Sequence, residues 1–309
     1  MAQVIPSWRT LIMVATGETA PLTVRRMKFG FDDDQARATK YYANGSIVFS
    51  HLVAVLSAIF PPGEDIFVRS VRRYRDQITD PDLSQRVAAF IGQEKVHGLQ
   101  HRELNEQLLA MGYPTPWFEF LLESTEHLEK FLDKRYPSPD RFVKLRRFFL
   151  GFTVAAEHFT ATWAENILKS PEVQAMMYDP EIRNLLNWHA LEELEHKDVA
   201  FDVYRAIGVP ESTRIRWMRF AQNFGIPILL LFTLASIVLN DREGRRQPVR
   251  LLIETVQMLR SPMFKGFHKA MKPFKRRDFH PNQIDTTELM TTWQRELFGE
   301  HGELVGHLK

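Results

Sequence analysis

Two segments, FIGQEKVHGLQH (90–101) and NWHALEELEH (187–196), limit the fold most tightly, because each puts charge on what reads as the apolar side of a helix. At helical periodicity Glu94, His97 and His101 fall within an arc of about 60°, and His189, Glu192, Glu193 and His196 within about 100°. Val87, Phe90, Ile91 and Leu104 share or border the first stripe, and Leu186, Ala190 and Ala200 border the second. Two single glutamates behave alike: Glu64 lies among Phe60, Phe67, Val68 and Val71, and Glu157 among Leu150, Val154, Ala161 and Ala164. Burying an unpaired carboxylate costs several kcal/mol, and no Lys or Arg shares either single-glutamate stripe as an evident partner. A bound cation is the economical way to accommodate inward carboxylates, against the alternative of solvated helix faces.

The rest of the sequence reads as all-α. Alternating β-branched runs closed by tight-turn dipeptides are scarce, while Leu, Ala, Arg, Glu and Phe recur at helical spacing. Proline-marked breaks are expected at 60–65, 79–84, 111–117, 135–140, 169–173, 178–181, 207–212 and 260–264. Glu64 is then carried by a helix after Pro62, Glu94 and His97 by one after Asp82, Glu157 by one from about Phe142 to Lys169, and Glu193 and His196 by one after Pro180. Glu157 to Lys169 and Glu181 to Glu193 are legs of equal length, so an antiparallel hairpin sets Glu157 and Glu193 at one height. The chain divides into an N-terminal extension (1–45), a helical bundle (46–210) and C-terminal helices with an apolar segment and a basic tail (211–309).

With no cysteine, any metal must be held by His, Asp and Glu. Glu, Glu-x-x-His, Glu, Glu-x-x-His is the donor order that dinuclear carboxylate bundles use. Two divalent ions need bridging carboxylates to offset charge and an imidazole each, which gives a candidate ligand set of Glu64, Glu94, His97, Glu157, Glu193 and His196. His101 and His189 exceed that minimum, as extra ligands or as partners that orient ligands. Glu192 rivals Glu193, since helical phase does not decide between adjacent residues. Glu195 reads as surface, and His51 and His158 as structural.

The sequence resembles a bacterial family labelled predicted metal-dependent hydrolases, placed with the ferritin-like helical proteins. LTVRRMKFGF, FPPGEDIFVRSVRRYRD, FIGQEKVHGLQH, AAEHFTA and WHALEELEHKDVAFDVY carry the likeness, over about residues 20–210. It implies a ferritin-like four-helix bundle with additional terminal helices and a metal site. The ferritin-like proteins are dominated by iron and dioxygen chemistry. The expectation is therefore a di-iron enzyme that oxidises a hydrophobic small molecule with dioxygen, served by an electron-donor protein. Hydrolysis by a metal-activated water is the alternative, with manganese or zinc in place of iron; extra ligation by His101 and His189 would favour it. Metal storage without turnover is the third reading.

The tail adds a separate clue. FGIPILLLFTLASIVL (224–239) is the most apolar run, short of a full bilayer span, and suits either a core helix or a membrane-surface helix. After it, residues 242–277 hold eleven Lys or Arg against Glu243 and Glu254, about +9 in a chain of net +2. Peripheral membrane contact through 224–277 is thus expected as an option, whereas no nucleic-acid reading motif accompanies the charge. The first 34 residues lack the features of a secretory signal, so a cytoplasmic location is expected; a homodimer is compatible with the sequence.

Overall fold

The computed structural model describes residues 22–31, 40–138 and 141–309. The first 21 residues, on which the reading of no secretory signal largely rests, lie outside that range. Among the described residues the chain is all-α, as expected, and the sole extended pairing is one antiparallel bridge between Met27 and Leu308.

Four long helices frame the interior: α1 (Ile47–Arg72), α2 (Pro81–Ala110), α4 (Val143–Lys169) and α6 (Pro180–His196). Each packs on two of the others, α1 on α2 and α4, and α6 on α2 and α4, which closes a ring. They are not consecutive, because α3 (Thr115–Arg135) packs outside the ring against α1 and α2, and the short α5 (Pro171–Met176) occupies the α4–α6 connection. Asp-Pro pairs start two of the four. Asp80 and Asp179 cap α2 and α6, accepting from Asp82 N and Ile182 N, and the following prolines sit where no N–H is required.

The break expected at 60–65 does not occur. Helix α1 runs through Pro61 and Pro62 and carries Glu64 in its last third. Pro61 has no N–H for the carbonyl of Ser57 four residues earlier, but Asn105 Nδ2 on α2 donates to that carbonyl at 3.1 Å. A side chain on the neighbouring helix thus takes over a hydrogen bond that α1 cannot make for itself.

After α7 (Val199–Ala206), helix α8 (Glu211–Phe220) continues through a π turn (Ala221–Gly225) into α9 (Ile226–Asn240); α10 (Pro248–Arg260), α11 (Phe267–Ala270) and α12 (Thr287–Phe298) follow. Two helical stretches are long and apolar enough to cross a membrane, Ile47–Gln77 and Glu211–Asn240; 83% of the first one's apolar window is buried but only 28% of the second's. The core-helix option for 224–239 therefore fails. In α9 only Leu229, Thr233, Ser236 and Ile237 are buried. The inward side is anchored by polar contacts: Ser236 Oγ lies 2.8 Å from His51 Nδ1, and His51 Nε2 lies 3.3 Å from Asp241. Burial lowers His51 to about 4 despite that carboxylate, in keeping with a structural role.

Candidate metal centre

All nine residues singled out on α1, α2, α4 and α6 are buried inside the ring. His196 Nε2 lies 3.1 Å from Glu94 Oε1, 3.4 Å from Glu157 Oε2 and 3.6 Å from Glu193 Oε1, so the equal legs do bring Glu157 and Glu193 to one height. His189 Nε2 lies 3.0 Å from Glu193 Oε1 and 3.5 Å from Glu64 Oε1. Glu193 thus stands between two imidazoles, with Thr160 Oγ1 donating to its other oxygen. Glu64 fits against α2 because Gly98 is there: a Cβ at that position would sit 3.1 Å from Glu64 Oε2.

Four overlapping groups have ligand atoms close enough to share an ion: Glu94, Glu157 and His196; Glu64, Glu94 and His97; His97, His189 and Glu193; and Glu64, His101 and His189. Glu192 belongs to none of them. Its Oε1 accepts from Arg25 at 2.8 Å and its Oε2 lies 2.9 Å from His97 Nε2, so both oxygens are engaged. Arg25 also pairs with Glu195 at 2.8 Å, and Glu195 accepts from Gln93 and Gln294. Glu195 is therefore not a surface residue. The segment around Arg25 lies over the side of α6 that helical phase assigned to solvent.

Further contacts fix the rings. Gln93 Oε1 is 3.2 Å from His196 Nδ1, and Gln93 Nε2 donates to the carbonyl of Thr23. On the opposite side, Asn105 Nδ2 donates to Glu119 Oε1 and to the Ser57 carbonyl, which turns Asn105 Oδ1 to accept from Ser57 Oγ at 2.7 Å. With its proton so committed, Ser57 Oγ must accept from His101 Nδ1 at 3.0 Å. His101 Nε2 then accepts from His189 Nδ1 at 2.8 Å, and His189 turns Nε2 toward Glu193 and Glu64. His158 is apart from all this, stacked on Phe274.

The electrostatics are those of a crowded, dry carboxylate cluster. Burial, with the charges of Glu94 and Glu193, pushes Glu64 well above the carboxylate range, and burial with Glu157 does the same to Glu94. Glu157 is pushed up to about 7, burial outweighing His196. Burial opposes ionisation of Glu193 too, yet the hydrogen bonds of His189 and His196 prevail and hold it well below the usual value. Burial, joined by the proximity of His189, keeps His97 and His101 neutral well below the usual imidazole value. Both oxygens of Glu64, Glu94 and Glu157, together with His97 Nδ1 and His196 Nε2, are buried without a hydrogen-bond partner. Buried polar atoms are ordinarily satisfied, so eight converging orphan acceptors and donors fit a bound cation.

The cluster borders an apolar pocket with a cavity volume of about 50 Å³. Phe49, Val53, Leu56 and Phe60, one stripe of α1, form a wall, and Thr160, His189 and Glu193 are its polar end. Sequence reasoning did not find Arg25, Ser57, Gln93, Asn105 or Thr160. The one local signal was the Pro-Pro pair inside a helical pattern, which implies a carbonyl in need of a donor.

Helices that gather carboxylates and imidazoles in a dry interior define the chain as an all-α protein with a buried cluster of potential metal ligands. It belongs to the family described as predicted metal-dependent hydrolase, whose model matches residues 23–285. No curated protein and no solved structure matches the chain. The family makes the protein a metal-dependent enzyme and overturns the expected dioxygen-dependent oxidation. The preference for oxidation rested on a carboxylate-rich set with two imidazoles. The structure brings His101 and His189 into the same cluster, where His101 engages both ring nitrogens with Ser57 and His189, and His189 keeps Nε2 toward the carboxylates.

Proposed function

We propose that the protein is a hydrolase that binds two divalent ions inside the helical ring and cleaves an ester or amide bearing an apolar group. The observation that carries this reading is the set of unpartnered buried carboxylate oxygens and imidazole nitrogens bordering an apolar pocket.

In this reading Glu94, Glu157 and His196 would hold one ion and Glu64, His97, His189 and Glu193 the other. Oxygen and imidazole donors without thiolate suit manganese, ferrous iron or zinc. A divalent ion there supplies Lewis acidity, acidifying a coordinated water and polarising the scissile group. Glu192 and His101 are positioning residues. Glu192 accepts from His97 Nε2–H and leaves Nδ1 bare. His101 receives the Nδ1 proton of His189, so the neutral His189 ring presents its Nε2 lone pair to two carboxylates. A nitrogen turned toward two carboxylates is the arrangement in which a divalent ion would find imidazole and carboxylate donors together. The α1 wall of the pocket excludes water and takes the apolar group, with the scissile bond at the Thr160–Glu193 end.

The test is to load purified protein with manganese, ferrous iron or zinc, count the ions bound, and assay p-nitrophenyl esters and anilides of increasing acyl length. Two ions per chain and chelator-sensitive turnover that improves with acyl length are expected. A protein that binds no ions, or binds them and hydrolyses none of the panel, overturns the proposal.

A further inference from the structure

Helices α9 and α10 both rest on α1 and are joined by the short connection 241–247. Each turns an apolar stripe outward: Leu231, Val238 and Leu239 are 63%, 52% and 63% exposed, and Val249, Leu252 and Ile253 are 70%, 66% and 51% exposed. Single exposed leucines are ordinary, but soluble surfaces seldom carry apolar residues repeated along two neighbouring helices. The packed side of α9 holds Thr233 and Ser236 beside Leu229 and Ile237, while most of its leucines lie on the outer side. Arg242, Arg245 and Arg246 in the connection are exposed, as are Arg260 at the end of α10 and Lys265 and Lys269 beyond it.

We propose that the outer face of α9 and α10 docks the protein on the surface of an anionic bilayer. The apolar stripes enter the boundary between headgroups and acyl chains, and the flanking guanidinium and ammonium groups meet lipid phosphates. Charge decides between this occupant and a second copy of the chain. A two-fold interface through the same face would press two basic margins together, whereas an anionic bilayer complements them. The 30-residue helix Glu211–Asn240 does not cross the bilayer in this arrangement, because its Thr233–Ser236 side is bound to α1 through His51. The proposal is independent of the reaction at the metal centre.

The experiment is flotation of the full chain with vesicles of phosphatidylcholine alone or mixed with phosphatidylglycerol, at low and high salt. Binding at least about tenfold tighter to the anionic vesicles and weakened by salt is expected. Leu231→Glu/Leu252→Glu should reduce it at least about tenfold, as two exposed leucines leave the lipid boundary. Arg245→Glu/Arg246→Glu, which touches no core residue, should do so in the anionic vesicles alone, and both variants should keep the wild-type circular dichroism. The proposal fails if the chain does not float, if it floats equally on neutral vesicles, or if the charge-reversed variant floats like wild type. Resistance to alkaline carbonate extraction would reveal a spanning helix instead. A dimer in sedimentation that the leucine variant dissociates would make the face a self-association surface.

Discussion

The ring of α1, α2, α4 and α6 and the pair α9–α10 depart from ordinary burial in opposite directions. The ring encloses carboxylates and imidazoles, and the pair shows leucine and valine to solvent. Apolar patterning alone would place both regions wrongly, since it puts charge outside and leucine inside. Each departure coincides with a binding capacity proposed above, for a cation in the first region and for a lipid surface in the second. The difference lies in specification. The interior cluster is pinned by hydrogen bonds to named partners, whereas the exterior face is defined by a stripe and a margin of charge.

The sharpest way to break this contrast is to remove a carboxylate belonging to two of the donor groups. Glu94→Gln is expected to cost one of the two proposed ions and roughly 10³-fold or more in turnover, read by elemental analysis and steady-state kinetics. An unchanged metal content would mean that the cluster is a packing feature. The next effect tests the pinning from outside: Arg25→Ala leaves Glu192 and Glu195 buried without their cation, and urea unfolding should show a loss of about 3 kcal/mol or more.

The pH dependence of the metal-free protein separates the regions further. The raised pKa values of Glu157, at about 7, and of Glu64 and Glu94 mean that their protonated forms stabilise the fold fully below the ordinary 4.5, and this contribution is lost as pH rises through about 7. His51 and His158, both lowered to about 4, act in the other direction, but their contribution is complete above 6.5. Between about pH 4.5 and 7 the metal-stripped protein should therefore lose thermal stability relative to the loaded protein, in which His51 and His158 titrate alike. Equal slopes in the two forms would sink the assignment of these carboxylates to a cation site. The smallest expected effect is that of Ser57→Ala, which frees the His101 ring and should weaken metal binding about tenfold with little change in secondary structure.

How much of this was legible in the sequence differs by feature. The all-α class and the inward stripes were, because an i, i+3 spacing fixes a helix face wherever the helix packs. The starts of α2 and α6 were, because Asp-Pro acts within one turn. The break at 60–65 was misread because the donor that rescues the Ser57 carbonyl comes from Asn105, far along the chain. Glu195 was misread for the same kind of reason: helical phase put it outside, and Arg25 with Gln294 covered that outside.

By itself the sequence determined that four helices would turn carboxylate and imidazole toward one interior, without thiol, and that a strongly basic stretch would follow a strongly apolar one. Only the tertiary structure decided that Glu193 faces the cluster while Glu192 faces Arg25, that His101 orients His189, and that α9 turns its leucines outward. Helical period sets the direction of a side chain relative to its own axis, a local property. What lies in that direction depends on which distant segment packs there, and that is settled by the energy of the whole assembly.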